Sequence, residues 1–413
     1  MQPRSPEATT LVNQAGAFDA TVDSAAVVVI PVAPASGRST DPRSTVLPRV
    51  ERTGEGATLV STMGRPRFET RRSLGQGGIG EVVAAMDQDI GREVAIKRLR
   101  SDVQAGPAAV ARFVDEIRTV GALEHPNIVP IHDVGVDDDG SLYFVMRCVQ
   151  GETLESIIER LAAGDPLAHA QWTHERRVHV FRQLLDAVAF AHERGYVHRD
   201  IKPANIMVGP WGEVFLMDWG IAKPIGAAET LSPSAGGAAA TGERVTSTHV
   251  GSVIGTPAYM SPEQARGQPV DARSDVYSLS VLLHELLGLK HYLDHCNTVE
   301  AVLDGVQTAH APAPSFVPSP HQPPAPMDLS WYVRKGLAKE PAMRYQTVRE
   351  MIERLNARED GIVPVQCPIT FSKRLMRMPI RFVDRHPMLF MALLGVFVMC
   401  VLAGVGFGVW RLV

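Results

Sequence analysis

The sequence predicts an α+β protein with two lobes, a small strand-rich lobe followed by a large helical lobe, and one C-terminal transmembrane helix. Three observations support this prediction. Short runs of alternating apolar and polar residues begin at Arg67 and continue for about 80 residues, and a mostly helical segment of about 200 residues follows Gly151. The third observation is a charge-free run, Met388 to Trp410. Strands followed by helices favour two lobes with a cleft between them.

The composition excludes several classes of protein. Hydrophobic residues make up 45% and charged residues 21% of the 413 residues, which excludes a wholly disordered or fibrous chain. The formal net charge is −4, so no basic excess indicates a nucleic acid as partner, and we expect none. The four cysteines are scattered without CxxC spacing, which argues against a disulfide framework or a cysteine-based zinc site.

Residues 1–66 differ from the rest of the chain because Pro, Ala, Ser and Thr dominate and no helical or strand period persists. The apolar stretch Ala25–Val32 is short and lacks the basic region that precedes the apolar core of a signal peptide. We therefore predict a disordered, cytosolic N-terminal tail. A docking role for this tail is the alternative to a plain solvated tail.

Residue 67 begins the predicted folded domain, residues 67–357, whose first part consists of strands and one helix. Alternating runs bounded by Gly or acidic turns predict strands, and a single apolar face predicts the helix. The predicted elements are strands at Arg67–Leu74, Glu81–Met86 and Glu93–Leu99, a helix at about Pro107–Leu123, and strands near Ile131 and at Leu142–Val145. The acidic run 137–140 lacks the ligand series of a calcium loop, so we predict a hairpin turn there.

Helices dominate the second part of the domain. Ser274–Leu289 is apolar on most sides, which predicts a buried helix. The other predicted elements are helices at Thr173–Arg194, Asp328–Leu337 and Gln346–Leu355 and a strand at Val214–Met217. Gly226–Val253 is rich in Gly, Ala, Ser and Thr, and we predict that it is mobile.

The charge-free run Met388–Trp410 has 23 residues and is long enough, at 1.5 Å each, to cross a hydrocarbon core of about 30 Å. We predict a single-pass transmembrane helix, with a buried core helix as the alternative, after a basic juxtamembrane segment (358–387) and before an extracytoplasmic stub (411–413). Five basic residues precede the run and one follows it, so the positive-inside rule predicts an inner (plasma) membrane protein with a cytoplasmic folded domain. Membrane lipid is then a partner. The glycines of the run leave a homodimer open as an alternative to a plain anchor.

A glycine-rich segment with the pattern Gly-x-Gly-x-x-Gly-x-Val lies between the first two predicted strands. In a strand–turn–strand context, glycines let backbone amides approach phosphate oxygens without a Cβ in the way, whereas in a dinucleotide-binding turn they open a helix. A glycine-rich hairpin without a ligand is the alternative. The candidate phosphate-binding residues are Leu74, Gly75, Gln76, Gly77, Gly78, Ile79, Gly80, Glu81 and Val82.

Lys97 lies on a predicted strand downstream of these glycines. A lysine on a strand is usually a solvated edge residue. Its position after the glycine-rich segment raises the alternative that its ammonium group binds nucleotide phosphates. Such a lysine needs a partner to hold it, and Glu116 on the following helix is well placed to be that carboxylate.

Three residues suited to phosphoryl transfer lie close together in the segment 198–205, and a fourth follows. Asp200 can accept the proton of an attacking hydroxyl group, and Lys202 can neutralise charge on the transferring phosphoryl group. Asn205 offers an amide oxygen to a magnesium ion, and Asp218, before Trp219 and a glycine, can bind the metal that bridges the phosphates. Any one of these residues can fill a turn, but all four in this order are improbable by chance.

These motifs resemble those of the protein kinase family, specifically the membrane-anchored bacterial Ser/Thr kinases of the eukaryotic type, over about Phe68 to Leu355. The resemblance implies the protein kinase fold and transfer of the ATP γ-phosphate to Ser or Thr hydroxyl groups of protein substrates, with Mg²⁺ or alternatively Mn²⁺. It also implies a role for each matching residue. These are Asp200 as catalytic base, Asn205 and Asp218 as metal ligands, Lys97 paired with Glu116, and Val82, Ala95, Met146 and Cys148 around the adenine.

The resemblance also covers the segment Gly255–Glu263, which matches the family's substrate-side loop. It implies that Glu263 pairs with Arg344 and that Asp275 braces the catalytic loop from a buried helix. Two residues depart from the family pattern. Trp219 replaces the usual Phe, where a bulkier ring can bias the balance of active and inactive packing, and Ser261 replaces the usual Ala.

Arg199 beside Asp200 suggests control by autophosphorylation in membrane-tethered signalling. A phosphate on Thr246, Ser247, Thr248 or Ser252 would pair with Arg199 and order the loop. A polar loop without such control is the alternative.

Three rival functions exist for the whole chain, namely a pseudokinase scaffold, a small-molecule kinase and a membrane receptor. The strand lysine, the base and the metal-binding aspartate argue against the pseudokinase. Lys202 and the substrate-side loop argue against the small-molecule kinase. We therefore favour a protein kinase with protein substrates.

Overall fold

The computed structural model describes residues 49–53, 56–60, 66–76, 80–100, 107–137, 139–220, 222–224, 257–360, 362, 370, 388–396 and 398–399. The chain divides into two compact units, one of residues 1–71 with 85–92 and one of residues 72–84 with 93–413. All candidate site residues that the structure describes lie in the second unit.

The first unit contains an antiparallel hairpin of β1 (Arg49–Thr53) and β2 (Gly56–Val60), in which Arg49 is opposite Val60. β-branched residues in both strands favour this conformation. The hairpin lies in the stretch for which we predicted a disordered tail, and the short sequence pattern did not predict it; residues 1–48 lie outside the described part. In the same unit, Arg67 donates hydrogen bonds to both carboxylate oxygens of buried Asp87, at 3.2 and 3.1 Å.

Five strands form one sheet, as the alternating runs predicted. They are β3 (Phe68–Gln76), β4 (Gly80–Asp87), β5 (Arg92–Leu99), β6 (Ile131–Val136) and β7 (Leu142–Arg147), in the order β3-β4-β5-β7-β6. Antiparallel pairing of β5 with β7 places Lys97 opposite Phe144. The predicted helix is α1 (Pro107–Ala122), which packs Phe113 against Phe144 with ring centroids 5.4 Å apart. This packing fixes α1 beside the strand that carries the candidate lysine.

The acidic run between β6 and β7 forms the predicted hairpin turn. The Gly140 N–H donates to the Asp137 carbonyl at 2.9 Å, and the Asp137 N–H donates to the Ser141 carbonyl at 2.8 Å. Gly140 adopts a φ of 82°, a left-handed conformation that favours glycine. The Ser141 N–H also donates to the Asp139 Oδ1 at 2.9 Å, so backbone and side-chain hydrogen bonds together hold the turn.

Helices dominate the rest of the second unit, as predicted. They are α2 (Leu154–Ala162), α3 (Pro166–Gln171), α4 (His174–Glu193), α5 (Pro262–Ala265), α6 (Ala272–Gly288), α7 (Val299–Thr308), α8 (Met327–Gly336) and α9 (Val348–Glu359). Threonine or aspartate side chains cap several of these helices, for example Thr173 before α4 and Asp271 before α6. The apolar helix α6 is buried on nearly all sides, and it forms the centre of this helical core.

Short strands frame the two loops that carry the candidate chemistry. They are β8 (Glu152–Thr153), β9 (Tyr196–Val197), β10 (Ile206–Val208), β11 (Val214–Leu216) and β12 (Lys223–Pro224). β11, β10 and β8 pair in that order, and β12 pairs with β9. The segment 198–205 therefore begins directly after β9 and ends at β10, and Asp218 follows shortly after β11.

The C-terminal run is described only in part. Residues 388–396 and 398–399 are helical, and the side chains of Met388 and Met391 are exposed. Within the described residues, no helix is both long and apolar enough to span a membrane. The rest of Met388–Trp410, most of the juxtamembrane segment and the segment Gly226–Val253 lie outside the described residues.

Candidate active site

Lys97 on β5 and Glu116 on α1 form the predicted pair. The Lys97 Nζ lies 2.5 Å from the Glu116 Oε1, and the Glu116 side chain is only 4% exposed. Burial by itself lowers the pKa of Lys97, but the carboxylates of Glu116 and Asp218 outweigh burial and raise that pKa above its ordinary value. Lys97 is therefore a firmly charged ammonium group in a largely dry environment.

Asp218 completes this charged group from a third element. Its Oδ1 lies 3.7 Å from the Lys97 Nζ, and its side chain is 49% exposed. Asp218 has a φ of 59°, a strained conformation for a residue with a side chain. A Cβ on Gly220 would lie 3.3 Å from the Asp218 Oδ1 and 3.4 Å from the Glu116 Oε2, so glycine leaves room for both carboxylates.

Asp200, Lys202 and Asn205 are brought together in one loop. The Lys202 Nζ donates to the Asp200 Oδ2 at 2.7 Å, and the Asn205 Nδ2 donates to the same oxygen at 3.1 Å and to the Asp200 carbonyl at 2.9 Å. A 3₁₀ turn, Pro203–Asn205, sets this spacing. The Met217 N–H donates to the Asn205 carbonyl at 2.9 Å, which places Asp218 beside the loop.

Asp275 braces this loop from α6, as the resemblance implied. Its carboxylate is fully buried and accepts hydrogen bonds from the His198 N–H at 2.8 Å, the Arg199 N–H at 2.9 Å and the His192 Nε2 at 2.7 Å. Burial alone would raise the pKa of Asp275, but these donors lower it below its ordinary value. A buried charge thus fixes the backbone just before Asp200.

His198 is a neutral packing residue of the loop. Its Nε2 lies 3.2 Å from the Met217 carbonyl, which can only accept, and its Nδ1 accepts from the Asp200 N–H at 3.2 Å. Burial lowers the pKa of His198, which agrees with this neutral tautomer. Trp219 packs on the imidazole with ring centroids 4.5 Å apart, and its own Nε1 is buried without a hydrogen-bond partner in the described part. Trp219, which stands where the family usually has Phe, therefore contributes to the packing around His198 in the catalytic loop.

The glycine-rich segment is described at its two ends. Leu74, Gly75 and Gln76 are exposed at the end of β3, and Gly77, Gly78 and Ile79 lie outside the described residues. A Cβ on Gly80 would lie 2.7 Å from the Arg98 carbonyl and 3.7 Å from the Lys97 Cγ, so a close approach of β4 to β5 requires this glycine. Glu81 and Val82 follow on β4 and are partly buried. The phosphate-binding role of the segment stays a prediction.

The predicted adenine residues lie on β5 and β7. Ala95 is opposite Met146 in the strand pairing, so the two share one part of the sheet. The Cys148 Sγ lies 3.8 Å from the Glu93 Oε2. Burial raises the pKa of the Cys148 thiol, and the negative charge of Glu93 raises it further. Cys148 is therefore a neutral thiol next to the predicted adenine position.

The described part of the substrate-side loop is fixed from α6 and from the segment before α9. Arg344 donates to both oxygens of Glu263, each at 2.8 Å, so the implied pair is present. The Ser278 Oγ donates to the Tyr259 carbonyl at 2.8 Å, and the Tyr259 hydroxyl donates to Glu285. Gly255 and Thr256 lie outside the described residues.

Some residues at the site escaped the sequence analysis. His192 shares the Asp275 carboxylate, Gln264 contacts the Arg199 carbonyl, and Glu285 holds Tyr259. The sequence contains a signal for one of these residues. Ser261 and Gln264 are three residues apart, which is the spacing of a capping box. The other contacts join residues that are distant in the sequence and carry no local pattern.

Comparison with known proteins agrees with this geometry. Residues 68–354 match the protein kinase domain family. The chain is 36% identical over 293 residues to the serine/threonine-protein kinase PknD of Protochlamydia amoebophila, which covers 69% of this chain and 29% of that protein. It is 38% identical over 288 residues to the serine/threonine-protein kinase PknB of Mycobacterium tuberculosis (69% and 42%) and 38% identical over 298 residues to the probable serine/threonine-protein kinase SCO3848 of Streptomyces coelicolor (71% and 40%). The chain thus spans less than half the length of these curated relatives.

Proposed function

Because the chain belongs to the protein kinase family, we propose that it transfers the γ-phosphate of ATP to Ser or Thr hydroxyl groups of proteins. The observation that carries this proposal is the contact of one ammonium group with two carboxylates from different elements. The Lys97 Nζ lies 2.5 Å from Glu116 and 3.7 Å from Asp218. The names of the similar proteins support the Ser/Thr class.

Asp200 serves as the general base for the substrate hydroxyl group. Its carboxylate is held by Lys202 and Asn205, so it is oriented before a substrate arrives. Lys202 offers its positive charge to the transferring phosphoryl group. Lys97, kept charged by its two carboxylates, binds the ATP phosphates.

Asn205 and Asp218 fit a magnesium ion. Both hydrogen bonds described for the Asn205 side chain use its Nδ2, which leaves the amide oxygen to serve as a ligand. The Asp218 carboxylate is half-exposed and follows Met217, whose N–H donates to the Asn205 carbonyl. A carboxylate with an amide oxygen is the hard donor set that Mg²⁺ prefers. When bound, the ion neutralises phosphate charge.

Membrane tethering and phosphorylation control extend the proposal. The 23-residue charge-free run and the five basic residues before it support a single-pass anchor in the inner (plasma) membrane with a cytoplasmic kinase domain and lipid contact. The hydroxyl residues of the segment 246–252 and the position of Arg199 next to the proposed base support control by autophosphorylation. Helix pairing through the anchor would give a homodimer.

Autophosphorylation with Mg²⁺–ATP tests the proposal. We compare the parent with Asp200→Asn and Lys97→Met, and we expect each variant to lose at least about 10²-fold in rate. Lys290→Met and Asp294→Asn are matched controls, because these residues form an exposed surface pair, and they should keep the parental rate. Equal phosphate incorporation in the parent and in both site variants would contradict the proposal.

A further inference from the structure

One hydrogen bond joins the substrate-side segment directly to the catalytic loop. The Gln264 Nε2 in α5 donates to the Arg199 carbonyl at 2.9 Å, across 65 residues of sequence. This carbonyl belongs to the peptide group that enters Asp200. A contact at this point can act on the orientation of the proposed base.

The Gln264 side chain is itself oriented by a capping box. The Ser261 N–H donates to the Gln264 Oε1 at 3.0 Å, and the Gln264 N–H donates to the Ser261 Oγ at 3.3 Å. Ser261 is fully buried. Since the box uses the amide oxygen, the amide nitrogen is turned toward Arg199. Glutamine suits this position because it supplies an acceptor and a donor on one planar group.

The Arg199 backbone needs such support. Its φ of 71° lies in the left-handed region, which is unfavourable for residues other than glycine. Asp275 accepts from its N–H at 2.9 Å, and Gln264 donates to its carbonyl. The next N–H, that of Asp200, donates to the His198 Nδ1 at 3.2 Å. Both polar ends of the Arg199–Asp200 peptide group are therefore satisfied by side chains.

We propose that Gln264 is a positioning residue that fixes the Arg199–Asp200 peptide and so couples the substrate-side segment to the Asp200 carboxylate. The inference rests on the proposed function, because it assigns this coupling to the same phosphotransfer site. Strained backbone persists only where the surrounding structure holds it. Loss of the Gln264 donor lets the peptide rotate and displaces the base from its working position.

The test compares Gln264→Glu with Thr298→Ala in the full chain. Gln264→Glu keeps an oxygen that accepts from the Ser261 N–H, and it replaces the donor to the Arg199 carbonyl with a carboxylate oxygen that can only accept. Thr298→Ala is the matched control, because it also removes one side-chain hydrogen bond near a helix N-terminus, that of the Ala301 N–H to the Thr298 Oγ1 at 3.1 Å, but in α7, away from the proposed site. We expect Gln264→Glu to lower kcat by about tenfold with KM for ATP within about twofold of the parent. Thr298→Ala should keep kcat within about twofold.

Hydrogen exchange of the peptide that contains residues 197–201 gives a readout that does not require activity. We expect faster exchange in Gln264→Glu and parental exchange in Thr298→Ala. Unchanged kcat and exchange in Gln264→Glu, or equal loss in both variants, would overturn the inference. A parent that transfers no phosphate would refute the proposed function instead, and faster exchange in Gln264→Glu would then still support the bridge.

Discussion

The two halves of the candidate site are held together by different forces. The Lys97 half consists of charged side chains from β5, α1 and the segment after β11, joined by contacts of 2.5 and 3.7 Å. The catalytic-loop half is held through its backbone, with the buried Asp275 accepting from the N–H groups of two successive residues. Side-chain charge defines the first half, and a fixed main chain defines the second.

This difference indicates how each half responds to substitution. In the Lys97 half, the Glu116 Oε2 is buried without a hydrogen-bond partner among the described residues, so this charged group contributes little to folding. In the loop half, removal of Asp275 would leave backbone donors buried and unpaired. We therefore expect the first half to affect activity alone and the second to affect activity and stability together.

The largest stability effect is expected from Asp275→Ala. It removes the acceptor of three hydrogen bonds, and we expect the free energy of unfolding to fall by about 3–5 kcal/mol, together with phosphotransfer activity. Urea unfolding measures the loss. Asp271→Ala, which removes the N-cap of the same helix, is the control and should cost only about 1 kcal/mol. Similar losses of unfolding free energy in the two variants would show that Asp275 stabilises the fold no more than a helix N-cap does.

Glu116→Gln tests the Lys97 half of the site. It removes the carboxylate charge beside Lys97 with little change in volume, and we expect activity to fall by at least about tenfold. The free energy of unfolding should change by less than about 1 kcal/mol, because Lys97 keeps the Asp218 carboxylate as a partner and the neutral amide avoids the burial cost that raises the pKa of Glu116. Parallel kinetic and urea-unfolding measurements decide this point. A stability loss as large as that of Asp275→Ala would show that the two halves do not differ.

The smallest effect concerns pH and Glu285, which holds the substrate-side loop through Tyr259. Burial raises the pKa of Glu285 from its ordinary value of 4.5 to about 7. Between these values the folded state keeps a proton that the unfolded state has lost, so this group makes the free energy of unfolding fall as the pH rises. Glu285→Gln removes that titration.

Urea unfolding at pH 5, 6 and 7 measures the consequence. We expect the stability of Glu285→Gln relative to the parent to increase with pH across this range. Glu300→Gln, which removes an exposed carboxylate, is the control. A stability difference between Glu285→Gln and the parent that does not change from pH 5 to pH 7, or that changes equally in Glu300→Gln, would contradict the raised pKa of Glu285.

The sequence predicted those parts of the site that have local patterns. The strand and helix periods placed Lys97 and Glu116 on neighbouring elements, and the short spacing of Asp200 and Asn205 placed them in one loop. The contact of His192 with Asp275 spans 83 residues, and that of Gln264 with Arg199 spans 65. Such contacts depend on how helices pack in three dimensions. No local propensity carries that information.

The central claim is that Lys97, Asn205 and Asp218 serve one nucleotide–metal complex. Calorimetric titration with a non-hydrolysable ATP analogue, with and without Mg²⁺, tests it most directly. We predict that Mg²⁺ strengthens binding to the parent and has no such effect on Asp218→Asn, while Lys97→Met weakens binding under both conditions. The same gain from Mg²⁺ in the parent and in Asp218→Asn would contradict the claim.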